Sequence, residues 1–287
     1  TVMIQGLDNQ VSYGNRNEYT DFRNDMKPII QKIQADDKGN YRMEMTFYRG
    51  RNEAIAFGYR GITNYTSIYQ QAVNNYCGKM GLAQENTRTI YNGSTVFTDS
   101  LFALKYVMSK HPVNEDYPAV FKMNEVTVYS NPYALGFGFM VNEGSLAETY
   151  SDPNPYANQD KLILKMTGLL ESGFKAIDKV RIDSSNLAYT QIDDKISFAK
   201  LKPKNPGNIY YSFVAPQDGP IYGFLTSDTD EGCKLYVNDV FITDVYDSEN
   251  KLAVKKHMIF FSSDIEFRKR KVANLVTTSF LEHFPRP

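Results

Sequence analysis

Apolar residues recur at helical spacing through "EYTDFRNDMKPIIQKIQADD" (18–37), where Tyr19, Phe22, Met26, Ile29, Ile30 and Ile33 fall three or four apart. Pro28 interrupts that run without an N–H to donate, so the pattern predicts a break or two short helices. Residues 1–17 are turn-rich and read as a loose lead-in. Alternation over "YRMEMTFY" (41–48) predicts a strand, and "RGRNEAIAFGYRGITNYTS" (49–67) reads as a long polar loop. A helix is expected next, capped by Ser67, with Ile68, Ala72, Tyr76 and Met80 on one face and Gly81 as its stop.

"IYNGSTVFTDSLFALKYVMSK" (90–110) sets turn chemistry against a buried-looking run. Tyr91-Asn92-Gly93-Ser94 predicts a tight turn. A short helix capped by Asp99 or Ser100 follows, packs through Leu101, Phe102 and Leu104, and runs into a strand. Further strands are expected around Val126–Val128 and over Ala134–Val141, with Asn131-Pro132 turning between them. Leu162, Leu164, Met166, Leu169 and Leu170 mark a largely apolar helix. Beyond about residue 173 the pattern changes to short alternating segments ("ISFAKL", "IYYSFVA", "PIYGFLTS", "HMIFFSS") and a hairpin, "LYVNDVFI", around Asn238-Asp239. Such spacing is that of an antiparallel sandwich. The class read from these elements is α+β: a mixed α/β domain over 1–175, then a jelly-roll-like antiparallel β-sandwich over 176–287.

Composition narrows function mainly by exclusion. Net charge is −1 and the only dense basic run is Arg268–Lys271, so nucleic acid is not an expected partner. The longest greasy stretch, "YALGFGFMV", is too short to span a bilayer. There is no leader, and the first residue is Thr1, so the chain reads as a segment of something longer, whose membrane spans would lie elsewhere. Cys77 and Cys233 have no metal-ligand spacing, and His111, His257 and His283 have no nucleophile context. Adjacent Asp36-Asp37 and Asp193-Asp194 diverge in extended backbone. No catalytic residue, metal or cofactor is therefore assigned. With 21 Tyr, 18 Phe and no Trp, the chain suits either a sugar-stacking surface or a tyrosine-rich β core.

Four segments in order resemble the large extracytoplasmic region of the YfhO family of polytopic bacterial membrane proteins. They are Arg42-Met43-Glu44, Gly58-Tyr59-Arg60-Gly61-Ile62 to Ser67, Thr98 to Val107, and Asn131-Pro132-Tyr133-Ala134-Leu135. The resemblance is firm over 41–142 and weaker over 195–270, and Ala103 stands where the family pattern has a small Gly. It implies a GT-C-type glycosyltransferase that uses a lipid-linked sugar to modify teichoic acid at the extracellular face of the cell membrane. The catalytic acid of such enzymes lies in a loop that is not recognisable here. This segment would cover the active site or hold the acceptor, a cell-wall polymer or glycan. In that frame Tyr59, Asn64, Tyr65, Asp99 and Lys105 are the candidate substrate-binding residues, with Lys105 and Tyr106 lying beside the 59–67 loop. A purely structural role accounts for the same residues. The alternative function is a free-standing carbohydrate-binding or assembly domain of the cell surface.

Overall fold

The computed structural model describes residues 16–246, apart from 69, 86, 144, 146–148, 178–179, 193–194, 203, 215–220, 227–231 and 238–239, together with 256–261 and 272–280. The lead-in lies outside these residues up to residue 15, as does the basic run at 268–271.

Helix α1 (Arg16–Asp36) is continuous through Pro28, contrary to the expected break. Pro28 and Asn24, the residue whose carbonyl it deprives of a helical donor, both sit on the exposed face, where water can complete the bonding. The opposite face buries Met26, Ile29, Ile30 and Ile33 against a four-stranded sheet. That sheet has the order β1 (Arg42–Met45), β5 (Leu104–Ser109), β7 (Val126–Ser130), β6 (Ala119–Met123). The β1–β5 pair is parallel and the others antiparallel. Met43, Met45, Met108, Val126 and Val128 supply the face beneath α1. Leu104, Val107 and Tyr117 form a second apolar cluster.

The β1–β5 ladder contains one irregularity: Arg42 pairs with Leu104 and Met43 with Tyr106, which leaves Lys105 as an extra residue. A bulge of this kind lets successive side chains lean to the same side. Lys105 and Tyr106 do so, and both reach Asp37 just beyond the end of α1.

Several connections differ from the hydrophobic pattern. The expected 49–67 loop contains α2 (Glu53–Phe57) and β2 (Asn64–Tyr65). Helix α3 (Gln71–Lys79) is capped at Gln70, not at Ser67, and its buried residues are Asn74 and Cys77. Ile68, at 92% exposure, belongs to neither. The displaced face has a polar cause. Asn74 is fully buried because the Thr89 hydroxyl donates to its Oδ1 (2.9 Å), a pairing that hydrophobic periodicity cannot register. Strands β3 (Ala83–Glu85) and β4 (Arg88–Ile90) join β2 in a small antiparallel sheet of order β2-β4-β3.

Helix α4 (Val96–Leu101) is capped by Thr95, which accepts from the Thr98 amide, while the Thr98 hydroxyl accepts from the Thr95 amide. This corrects the Asp99 or Ser100 cap: both residues lie inside the helix and are buried there, while Leu101 and Phe102 are only half-buried. Ala103 then reverses the chain into β5 with φ 57. A Cβ is strained in that left-handed turn and Gly has none, which is why a Gly is at home there. Residues 134–141, expected as a strand, carry none; the strand partner of β7 is β6, joined to it through Asn124 at φ 55.

Helix α5 (Pro155–Thr167) stops at Gly168 in the left-handed region, so Leu169 and Leu170 fall outside it. Its inner face is as polar as it is apolar. Gln159, fully buried, accepts from the Thr95 hydroxyl (2.6 Å) and donates to the Met80 carbonyl (2.8 Å), and Asn158 donates to the Lys79 carbonyl.

The regular elements described beyond α5 are strands: β8 (Arg181–Ser185), β9 (Leu187–Ile192), β10 (Lys195–Lys200), β11 (Gly207–Val214), β12 (Ile221–Thr226), β13 (Gly232–Val237), β14 (Val240–Tyr246), β15 (Lys256–Phe261) and β16 (Val272–Phe280). One antiparallel sheet has the order β14-β13-β16-β11-β8; β12 pairs with β15 and β9 with β10. The chain passes from β11 to β12 and back to β13, then from β14 to β15 and back to β16. Such alternation between sheets is the connectivity of a sandwich. Pairing of Val237 with Val240 bears out the expected hairpin, whose two turn residues lie outside the described set. The protein is α+β, and among the described residues its helices are gathered before residue 168 and antiparallel strands after it.

Candidate functional site: an arginine and tyrosine cavity

A cavity of about 530 Å³ opens between α1, the 49–57 segment and the β2–β4 pair. Helix α1 contributes Tyr19, Phe22 and Arg23; the loop before α2 contributes Arg49, Gly50, Arg51 and Asn52; Tyr65 and Arg88 complete the far wall. Each piece is held by local chemistry. The Glu53 carboxylate accepts from the Arg49 amide (2.9 Å) and from the Gly50 amide, which wraps the arginine-bearing loop onto the start of α2. Asn52 Oδ1 accepts from the Tyr65 amide (2.9 Å). Cross-strand pairing sets Tyr65 opposite Arg88. Phe22 packs on Phe57 and Phe47 at ring distances of 5.9 and 6.4 Å, forming a dry floor.

The electrostatics are one-sided. Among the described residues, four arginines (Arg23, Arg49, Arg51 and Arg88) line the cavity against one carboxylate, Glu53. Two of the arginines are steadied by rings: Arg49 lies 5.1 Å from the Tyr19 centroid and Arg51 4.2 Å from that of Tyr48. Arg51 Nη1 and Glu53 Oε2 are buried without a hydrogen-bond partner. A dry-floored cavity walled by guanidinium groups attracts anions, and planar guanidinium forks match phosphate oxygens in particular. Tyr19 and Tyr65, each nearly half exposed, offer ring faces for stacking on sugar C–H groups.

The five residues expected from the sequence do not line one cavity. Tyr65 is in the wall described above. Tyr59 packs against the core beneath α1, where burial pushes its phenol well above the ordinary range. Asn64 sits half-buried in β2 opposite Thr89. Lys105 turns to the end of α1: its Nζ lies 2.5 Å from Asp37 Oδ2, and Tyr106 donates to the same oxygen at 3.0 Å. The Lys105 hydrogen bond, foremost, holds the Asp37 carboxyl below its usual range.

Asp99 is buried and accepts from the hydroxyls of Tyr117 (2.9 Å) and Tyr91 (3.2 Å). Burial pushes its carboxyl up to about 7 in spite of these donors. Glu44 behaves alike: 2% exposed, it too is pushed up to about 7 by burial, while the amides of Ile62 and Thr63 and of Met45 donate to it. Through those amides Glu44 fixes the loop that leads into Tyr65. Neither acid is among the residues that line the cavity.

Hydrophobic patterning does not point to the arginines: "RGR" at 49–51 falls in a stretch whose pattern is that of a loop, and its partners Arg23 and Arg88 lie far away in the chain.

A family model described as "Bacterial membrane protein YfhO" matches residues 1–261, and the chain belongs to that family. No curated protein and no solved structure matches it. Among the described residues, no helix is long and apolar enough to cross a membrane.

Proposed function

We propose that this member of the YfhO family is the extracytoplasmic part of a membrane glycosyltransferase that decorates a cell-wall polymer, of the teichoic acid kind, from a lipid-linked sugar. In this reading the arginine and tyrosine cavity holds the acceptor. The observation that carries it is the lining among the described residues: four arginines against one glutamate, beside two half-exposed tyrosine rings. A polyol-phosphate chain presents one phosphodiester charge per repeat, with hydroxyl and C–H groups between. Guanidinium forks suit the first and tyrosine rings the second. No residue of the chain is assigned the transfer step, so the cavity positions and does not react.

Calorimetric titration of the purified chain with a glycerol-phosphate polymer tests this. Binding is expected, weakening as salt rises because charge carries it. Arg49→Ala and Arg51→Ala are each expected to weaken it about tenfold, the equivalent of about 1.4 kcal/mol. Flat titrations across wall polymers would sink the acceptor role. Salt-insensitive binding of neutral oligosaccharides, lost on Tyr65→Ala, would favour a carbohydrate-binding domain instead.

A further inference from the structure

Two loops carry an apolar surface that the cavity does not use. Every residue from Gly136 to Met140 and from Thr167 to Gly173 is exposed. Phe137, Phe139 and Met140 lie on the first loop, Leu169 and Leu170 on the second, with Met140 and Leu170 each 97% exposed. The loops adjoin: the Asn142 amide donates to the Met166 carbonyl at 3.0 Å. At about 3.8 Å per residue, Met140 and Leu169 lie within roughly 20 Å of each other.

This exposure is built in. The first loop is rooted by Leu135, whose amide donates to the Ser100 carbonyl, and by Phe137, which takes the guanidinium of Arg42 at 4.8 Å and that of Arg60 at 5.9 Å over its ring. The second closes onto α5, where Asp160 accepts from the Gly173 amide (2.7 Å) and from the Ser172 hydroxyl. With both ends of each loop fastened, the largest apolar side chains still point outward. Soluble surfaces rarely gather bare Phe, Met and Leu in this way unless something covers them.

We propose that these two loop tips dip into a lipid surface and hold the chain against the membrane. Two observations choose lipid over other coverings. The chain belongs to a membrane-protein family. The surface is two narrow apolar tips flanked by few acids, Glu143 after the first and Glu171 on the second, which suits shallow insertion at the headgroup boundary. The inference is independent of what the cavity binds.

Flotation of the purified 287-residue chain with phosphatidylglycerol-rich and with phosphatidylcholine vesicles tests it, with sedimentation velocity alongside. Binding to both vesicles is expected because the tips are apolar, and it is expected to be stronger with phosphatidylglycerol because the Arg42 and Arg60 guanidinium groups lie against the Phe137 ring. Met140→Ser with Leu170→Ser is expected to cut partitioning at least tenfold, while Ile68→Ser, at an exposed position elsewhere, leaves it unchanged. All three positions are exposed, so folding is retained, as circular dichroism would verify. Three results would overturn the proposal: no flotation with either vesicle, flotation unaffected by the double substitution, or self-association abolished by it. The last would assign the face to a second copy of the chain.

Discussion

Asp37 and Asp99 each accept two side-chain hydrogen bonds, at least one of them from a tyrosine, yet they are held in opposite ways. Asp37 lies at the rim of the sheet, beside the cation of Lys105, and its carboxyl is drawn below the ordinary range. Asp99 lies within α4, with phenols and no cation bonded to it, and burial pushes its carboxyl up to about 7. Similar donor counts therefore do not fix a carboxylate's charge. A neighbouring cation with access to water favours the ion, and a dry pocket of neutral donors favours the acid. The sequence set Asp99 and Lys105 in one groove; the structure gives them separate partners, and the left-handed Ala103 turn stands between them in the chain.

The sharpest way to break this contrast is Asp99→Ala. It leaves the Tyr91 and Tyr117 hydroxyls buried without their acceptor and is expected to cost about 3 kcal/mol or more in urea unfolding. A loss below about 1 kcal/mol would mean that those phenols find other partners.

Next comes pH. Asp99 and Glu44 both bind a proton more tightly folded than unfolded, since each rises to about 7 from ordinary values of 3.8 and 4.5. Between those limits the native state holds more protons, so stability falls as pH rises. Their contribution is complete below about pH 4 and drains away by pH 7 to 8. The unfolding free energy at pH 5 is expected to exceed that at pH 8 by an amount on the order of a few kcal/mol. Asp99→Asn, a lasting mimic of the neutral acid, should flatten the slope. A slope that Asn leaves intact would put the titration elsewhere.

Asp37 carries the opposite sign. Its lowered carboxyl adds stability above the ordinary value of 3.8, and this is lost as pH falls further. Lys105→Met is expected to cost about 0.5–1 kcal/mol at pH 7, since the pair is partly exposed and screened. The cost should vanish in strong acid; a cost that persists there would reflect packing on the Tyr41 and Tyr106 rings instead.

The smallest effect belongs to the turn that separates the two acids. Ala103→Gly relieves left-handed strain, but it removes a buried methyl and loosens the unfolded chain, so the net change is expected to stay below about 1 kcal/mol. A larger loss, read by the same urea titration, would show that the methyl packs more than it strains.

How much of this was legible follows from where the information lies. Apolar spacing marked α1 and its buried face, because four aliphatic positions at helical intervals leave little choice. The α4-to-β5 segment and the antiparallel second half were legible for the same reason. Polar burial was not. Asn74, Asp99 and Gln159 look like surface residues until a partner from elsewhere in the chain is known, and so the α3 face, the α4 cap and the inner side of α5 were all misjudged. "VANLVTTSF" is a central strand of the larger sheet through its pairing with β11 and β13, which composition does not encode. The cavity failed to show because its four arginines come from three separate stretches of chain, and only pairing between strands brings Arg88 across from Tyr65.

The shared amide of Gln159 bears on how the chain can be divided for expression. One side chain completes both the end of α3, through the Met80 carbonyl, and the start of α4, through the Thr95 hydroxyl. A shortened fragment that ended before Pro155 would uncover both groups at once and lose the closing turn of the α/β half. Any piece meant for crystallisation or labelling therefore keeps α5, and with it β12, whose Gly223 carbonyl accepts from the Tyr156 hydroxyl at 2.8 Å.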